Sequence, residues 1–371
     1  MRYRTRQGEV RAVDGVSFQL QRGHVLGLVG ESGCGKTSVG FSLLKLLPDN
    51  ARLVSGQVIF DGQDLVPLKE EEMRRYRWRR ISMIFQSAMS ALDPVYRVGD
   101  QIVEALETHG LPPPVIPAKA GIQPPSGSRP APERHSPHPP LPRGTGWFPP
   151  FAKGGQGGFP RRQARERVAE LFHLVGLDPR LMDRYPHEYS GGMRQRAIIA
   201  MALACQPDLI IADEPTTALD VIVQDRILRE LKRIQQELGL SLLYITHDVA
   251  VVAEVADEVG VMYAGEMVEL GSTPEVFGTP IHPYTSALLS SFPSIRGEKQ
   301  TLVALPGEPP SLLAPPPGCR FHPRCPYATD QCRREPPPLV TRGDHWATCW
   351  HPMGQGPILL TTENTEGAEG R

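Results

Sequence analysis

The run Gly30-Glu31-Ser32-Gly33-Cys34-Gly35-Lys36-Thr37 constrains the fold more than any other part of the chain. It fits G-x-x-x-x-G-K-[ST], follows an apolar strand over His24–Val29 and opens a helix over Lys36–Leu47 that Pro48 stops. In such a run the glycines let backbone N–H groups wrap phosphates, and the helix N-terminus adds its positive end. Lys36 then reaches the β- and γ-phosphates and Thr37 ligates Mg²⁺. The expectation is a nucleotide site on a strand–loop–helix unit, lined by Gly30, Glu31, Ser32, Gly33, Cys34 and Gly35. Cys34 sits at a free position of the loop, either as a small filler or as an exposed thiol open to alkylation.

The same alternation continues along the chain. Ile81–Phe85, Leu209–Ala212 and Leu242–Thr246 read as buried strands, and Val259–Tyr263 and Met267–Leu270 flank Ala264-Gly265 as a hairpin. Strands interleaved with helices predict an α/β core with a mostly parallel sheet. At 371 residues the chain exceeds one average domain, so an appendage is expected. No run of about 18 uncharged apolar residues occurs, which argues against a transmembrane helix. Met1-Arg2-Tyr3-Arg4 leads into Gln7-Gly8-Glu9 with no apolar stretch, so a cytosolic chain is expected and its six cysteines read as thiols or metal ligands. The 40 Lys and Arg against 41 Asp and Glu give a net charge of −1, with no global pull towards nucleic acid or anionic lipid.

Fifteen of the 39 prolines fall between Pro112 and Pro160, with eight glycines and almost no apolar period. Such a composition buries too little surface to offset its ordering entropy, so 112–160 reads as a disordered insertion. Ile102, Val103 and Leu106 on one side and Val168, Leu171, Phe172 and Val175 on the other mark two helices that a short loop would ordinarily join. Lengthening that loop from about 4 to about 50 residues costs roughly 2.2 kcal/mol. A domain of about 5–15 kcal/mol survives it. A tolerated insertion and a functional binding arm both remain readings of the segment.

Leu209-Ile210-Ile211-Ala212-Asp213-Glu214 is an apolar strand ending in two carboxylates. Adjacent strand residues point to opposite faces, so the two acids divide their work. Asp213 suits the Mg²⁺ shell and Glu214 the polarisation of an attacking water. Tyr189-Ser190-Gly191-Gly192-Met193-Arg194-Gln195-Arg196 opens a further helix through Ala204. Ser190 is a good N-cap, and Gly191 and Gly192 let an anion approach the first-turn N–H groups. This second cradle has no lysine of its own, which invites a dimer in which each copy completes the other's nucleotide site.

The phosphate-binding loop, Gln86, Ser190-Gly191-Gly192, Asp213-Glu214, Ala218-Leu219-Asp220 and His247 stand in an order that resembles the ATPases of ABC transporters. The resemblance implies Gln86 as the Q-loop residue near metal and γ-phosphate, Asp220 as the D-loop aspartate and His247 as the switch histidine. It also makes Tyr3 the candidate aromatic for stacking on adenine. Tyr185-Pro186-His187-Glu188, Met193, His282-Pro283-Tyr284-Thr285, Pro317-Gly318-Cys319-Arg320-Phe321 and Arg324-Cys325-Pro326 look like the oligopeptide/dipeptide (peptide/nickel) importer branch. Tyr189 departs from the family's usual leucine, and the strand that ought to precede Tyr3 looks missing.

Cys319, Cys325, Cys332 and Cys349 cluster in about thirty residues, which implies a metal site. Without a C-x-x-C knuckle the spacing suits an iron–sulfur cluster as well as zinc. Similarity to the peptide importers favours 4Fe–4S over zinc, with the metal expected to fold a proline-rich tail that has little core of its own. Cys205 reads as a buried small hydrophobe.

The expected fold is thus an α/β P-loop NTPase of ABC type, with a mostly parallel core sheet, an antiparallel β subdomain, a helical subdomain and a small Cys-containing tail. The ATPase part would cover 1–111 and 161–275, the importer-type C-terminal region 276–352, and a disordered tail 353–371. The resemblance implies an ATP- and Mg²⁺-dependent subunit that hydrolyses ATP to power di- or oligopeptide uptake. Its expected partners are a sister ATPase in a heterodimer, two integral membrane permease subunits and a periplasmic or extracellular peptide-binding protein, and no nucleic acid. Its expected place is the cytoplasmic face of the inner membrane. A soluble ABC ATPase acting on nucleic acid or ribosomes, and an inactive nucleotide-binding module disrupted by the insertion, are the alternatives.

Overall fold

The computed structural model describes residues 1–86, 91–109, 161–217, 219–291, 305–354 and 359–361. The insertion expected over 112–160, Ala218 and most of the tail expected over 353–371 lie outside them. The chain opens on the antiparallel pair β1 (Arg2–Thr5) and β2 (Gly8–Arg11). Next come β3 (Val25–Val29), buried at every position, and α1 (Lys36–Leu44). An unbroken buried run is what a central strand covered on both faces requires. The helix ends earlier than the expected Leu47, because Lys45 turns into the left-handed region (φ 50°) and its N–H closes the last turn on Ser42. The side chain of Lys45 then ties down the carbonyls of Val66 and Leu68.

Residues Ala51–Arg52 form β4, which pairs with β1 on the edge away from β2. Tyr3 therefore stands in the central strand of a three-stranded sheet. A small hairpin, β5 (Ile59–Phe60) and β6 (Gln63–Asp64), leads to α2 (Glu70–Met73) and β7 (Ile81–Ile84). A helical layer follows, built of α3 (Val98–His109), α4 (Arg161–Leu174) and α5 (Gly191–Ala202). The helices on either side of the insertion pack together as their apolar stripes predict. Ile102, Val103 and Leu106 share a core with Val168, Leu171 and Phe172, and Arg161 pairs with Asp100 at 3.2 Å.

Then come β8 (Leu209–Asp213), α6 (Val221–Leu238), β9 (Ser241–Ile245), α7 (Val249–Val255), β10 (Glu258–Tyr263) and β11 (Glu266–Ser272). Positive φ at Ala264 (48°) and Gly265 (87°) makes the tight turn between the last two. The chain ends with α8 (Thr273–Gly278), α9 (Pro283–Ser290), α10 (Asp330–Arg334), β12 (Leu339–Arg342), β13 (His345–Thr348) and β14 (Leu359–Thr361). The main sheet runs β14-β12-β13-β11-β10-β3-β9-β8-β7, parallel from β10 to β7 and antiparallel beyond. Both faces are covered. Val25, Val29, Ile210, Leu242 and Tyr244 face the core shared with the helical layer, while Leu26, Leu28, Ile211, Leu243 and Ile245 face the core beneath α1.

The C-terminal region corrects one expectation. The sequence predicts a proline-rich tail with little core, folded by a metal. Instead β13 continues the main sheet, pairing Ala347 with Glu269 and Trp346 with Leu270. Phe321 is fully buried against Tyr263, Tyr284 and His282. A sheet edge and a shared aromatic core hold this region, which therefore has a core of its own.

Candidate active site

The loop between β3 and α1 is held by close backbone approach. At Gly30 a Cβ would stand 2.2 Å from the Met262 carbonyl oxygen, and at Gly35 2.0 Å from that of Ala12, with φ +151° and +107°. No side chain fits either position. Gly35 is also the N-cap of α1 and offers no side-chain cap, which leaves the first-turn N–H groups free for an anion. Lys36 is buried, and its ammonium donates to the carbonyls of Gly30 (2.8 Å) and Glu31 (3.0 Å).

The exposed-thiol reading of Cys34 is overturned. Its side chain is buried beneath the loop, 3.7 Å from Lys36 Nζ. Burial pushes its pKa up, against the downward pull of Lys36. We expect Cys34 to stay unlabelled by N-ethylmaleimide in the folded chain and to react on denaturation, as peptide mass spectrometry would show. Labelling at the rate of free cysteine would contradict this placement.

The two carboxylates after β8 separate as strand geometry requires. Asp213 is buried and its Oδ1 accepts from the Thr37 hydroxyl at 3.2 Å. Burial pushes its pKa up to about 6, with the Thr37 bond pulling down and the charge of Glu214 adding to the rise. Its second oxygen, Oδ2, is buried with no partner. An orphaned carboxylate oxygen beside a hydroxyl fits a hard cation such as Mg²⁺, which takes oxygen ligands and lies close to substrate phosphates. Gln86, the third residue expected near the metal, donates its side-chain amide to Glu214.

Glu214 leaves the strand with φ at 47°, a left-handed backbone uncommon for a side chain of this kind. That turn carries its carboxylate away from Asp213 and onto three partners. Gln86 Nε2 donates to Oε2 at 2.9 Å, Thr217 Oγ1 to the same oxygen at 3.0 Å, and His247 Nδ1 stands 2.8 Å from Oε1. Burial pulls the Glu214 carboxyl upward, but the bonds from His247, Thr217 and Gln86 outweigh it and the net shift is downward. Glu214 is therefore ionised at neutral pH and able to accept a proton. Sequence reasoning did not single out Thr217. The threonine pair Thr216-Thr217 directly after the acids was the available sign.

Ser190 caps α5, its hydroxyl accepting from Met193 N–H at 3.3 Å. Gly192 packs against α6, where a Cβ would stand 2.7 Å from Val223. Asp220 caps α6 in turn, accepting from Val223 N–H at 2.9 Å. Thus Ser190, Gly191, Gly192 and Asp220 share one corner, beside Val221 and Ile222, which are 81% and 75% exposed. Tyr189, in place of leucine, is buried with its hydroxyl on the Leu181 carbonyl at 2.6 Å, so the departure is accommodated. Tyr3 reaches Ser38 Oγ at 3.1 Å, two residues past Lys36. Tyr284 OH accepts from Glu31 N–H at 3.1 Å, so the His282–Thr285 motif touches the phosphate-binding loop. The spacing of the sequence carried no sign of that contact.

The cysteine expectation needs correction. Cys319, Cys325, Cys332 and Cys349 lie in one neighbourhood, with Cys319 N–H bonded to the Cys332 carbonyl at 2.8 Å. Burial pushes the Cys319 thiol up to about 11 and the Cys349 thiol up to about 12, and nearby cysteines add to both shifts. Yet among the described residues no three His, Cys, Asp or Glu side chains converge as a metal-ligand set. As placed, the four thiols do not form the ligand set of a 4Fe–4S cluster or of zinc. Cys205 is buried, as expected.

A family model described as "ABC transporter" matches residues 13–217, and one described as "Oligopeptide/dipeptide transporter, C-terminal region" matches 268–332. The chain is 43% identical to a probable peptide ABC transporter ATP-binding protein of Sinorhizobium fredii, over 92% of this chain and 89% of that one. It is 42% identical to a dipeptide transport ATP-binding protein of Bacillus subtilis, over 94% and 91%. Among solved structures, a dimeric ATP-binding cassette in a post-hydrolysis state with ADP and Pi superposes with a TM-score of 0.54 at 22% identity. That match covers 73% of this chain and 95% of that one. Among the described residues no helix is long and apolar enough to cross a membrane.

Proposed function

The chain belongs to the ABC transporter family of ATP-binding proteins, on the branch with the oligopeptide/dipeptide transporter C-terminal region, and from that premise we propose that it hydrolyses ATP to drive uptake of di- or oligopeptides across the bacterial inner membrane. The observation that carries the reading is the Glu214 carboxylate, held between Gln86 and His247 beside the Thr37–Asp213 pair. Glu214 takes a proton from the attacking water, oriented by Gln86 and His247. Lys36 and the first-turn N–H groups of α1 hold the phosphates. Thr37 and Asp213 hold Mg²⁺, which when bound neutralises phosphate charge. Tyr3 is the residue proposed to stack on adenine, supported by its contact with Ser38.

The chain acts with a sister ATPase, each offering its Ser190-Gly191-Gly192 corner to the other's nucleotide. The exposed Val221 and Ile222 next to Asp220 support this, since a lone chain gains nothing from apolar side chains there. Two permease subunits and a peptide-binding protein complete the importer, with this chain at the cytoplasmic face of the membrane. The assembled Gln86–Glu214–His247 group favours a competent ATPase over an inactive module. The importer-type C-terminal region favours transport over action on nucleic acid. Nothing in this function passes through the four cysteines, and iron and acid-labile sulfide analysis of the purified chain is the measurement that would restore a cluster there.

The test is uptake of labelled di- and oligopeptides by a strain lacking this subunit, complemented with wild type or with Glu214→Gln. Wild type alone should restore uptake. Restoration by both would separate uptake from hydrolysis at Glu214, and restoration by neither would refute the peptide cargo.

A further inference from the structure

Glu31, the second residue of the phosphate-binding loop, is gripped on every polar group it has. Its N–H donates to Tyr284 OH, its carbonyl accepts from Lys36 Nζ, and both carboxylate oxygens are taken by one guanidinium from the C-terminal region. Arg324 Nη1 reaches Oε2 at 2.6 Å and Nη2 reaches Oε1 at 3.0 Å. The arginine is itself locked. Its Nε donates to the Pro306 carbonyl at 2.8 Å, Nη1 also to Tyr263 OH at 3.3 Å, and its Cζ lies 5.8 Å from the centroid of the Tyr263 ring. With 5% of its side chain exposed, it is screened little by solvent, and a bidentate pair of this kind holds geometry as well as charge.

A carboxylate at this position is a hazard for the reaction. It is one residue from Gly30, and its own carbonyl already touches Lys36 Nζ, the cation that must meet the phosphates of a polyanionic substrate. Released, it would have room to move: a cleft of about 370 Å³ lined by Glu31, Ser32, Gly33 and Glu308 opens beside it. A free Glu31 would pair with Lys36 or repel the phosphates directly. We propose that Arg324 is a positioning residue for ATP binding, which keeps the Glu31 carboxylate turned away from Lys36 and from the nucleotide phosphates. The importer-type C-terminal region thereby becomes part of the ATP site without touching the nucleotide. The inference rests on the ATPase reading of the loop.

The experiment is a double-mutant cycle on the full chain, with Arg324→Ala, Glu31→Gln and the double variant, read as Kd for a fluorescent ATP analogue and as KM and kcat for MgATP. Arg324→Ala alone should raise Kd and KM about tenfold, with kcat changed less than about threefold. In the Glu31→Gln background the same substitution should change them less than about twofold, because there is no charge left to restrain. An equal loss of affinity in both backgrounds, or no loss with Glu31 present, would overturn the proposal and reduce Arg324 to a packing residue. Should Arg324→Ala not fold, Arg324→Lys serves in the same cycle. It keeps the charge but not the fork, so an intermediate rise in KM that Glu31→Gln removes supports the proposal, and a rise that it leaves overturns it. A wild-type chain that binds no MgATP would remove the ATPase reading and this inference with it, an outcome distinct from failure of the cycle.

Discussion

Glu214→Gln is expected to lower ATP turnover about 10²–10⁴-fold while leaving nucleotide binding intact, the range for loss of a positioned general base. Glutamine has the shape of glutamate and can keep contacts with Gln86, Thr217 and His247, but it cannot take the proton of the attacking water. The contacts that bind nucleotide, at Lys36, Thr37 and the α1 N-terminus, are made by other residues and stay in place. Because hydrogen bonds hold the Glu214 pKa down, the wild-type side chain is ionised at neutral pH, so the substitution removes a functioning base rather than an already protonated acid. Single-turnover hydrolysis and equilibrium ATP binding on the same preparation separate the two effects. Turnover within about tenfold of wild type would take the base role away from Glu214.

Glu269→Ala is expected to destabilise the fold by about 3–5 kcal/mol, the cost of leaving several buried hydrogen-bonding groups without their partner. Glu269 has no solvent exposure. Its Oε1 accepts from Ile281 N–H at 2.6 Å and meets His345 Nε2 at 2.7 Å, while Oε2 accepts from His282 N–H at 2.9 Å. Removing it strands two backbone donors and a buried imidazole at once. It also loosens the entry to α9, where His282 Nδ1 accepts from Tyr284 N–H and so helps hold Tyr284 against Glu31. Denaturant midpoints would measure the loss. The exposed pair Arg233–Glu237 is the contrast, and Glu237→Ala should cost less than about 1 kcal/mol. A Glu269→Ala chain within about 1 kcal/mol of wild type would show that water satisfies those groups.

Much of the site was legible before the fold was known, for a physical reason. A phosphate loop is a local device: a strand, glycines where a Cβ would meet a carbonyl, and a lysine at the helix start all lie within about ten residues. The acidic pair is local in the same way. By contrast, the burial of Cys34 depends on what packs beneath the loop, and neighbours in sequence do not state that. The cysteine tail misled because spacing alone counts ligands, whereas ligation needs side chains to converge. Among the described residues, no three such side chains come together here.

The sequence by itself determined the chemistry: the Lys36 and Thr37 loop, the Asp213-Glu214 strand end, the capping serine at 190 and the alternation that makes an α/β sheet. These follow from rules acting over a few residues, namely backbone sterics, capping and the two-residue period of a strand. Only the tertiary structure decided which groups meet. The order β3-β9-β8-β7 is parallel, so the C-terminal ends of four strands fall on one edge, bringing together the phosphate loop that starts at Gly30, Gln86, Glu214 and His247 from widely separated parts of the chain. The same packing set Arg324 on Glu31, 293 residues away. Contacts of that span depend on how whole layers pack, and no local pattern encodes them.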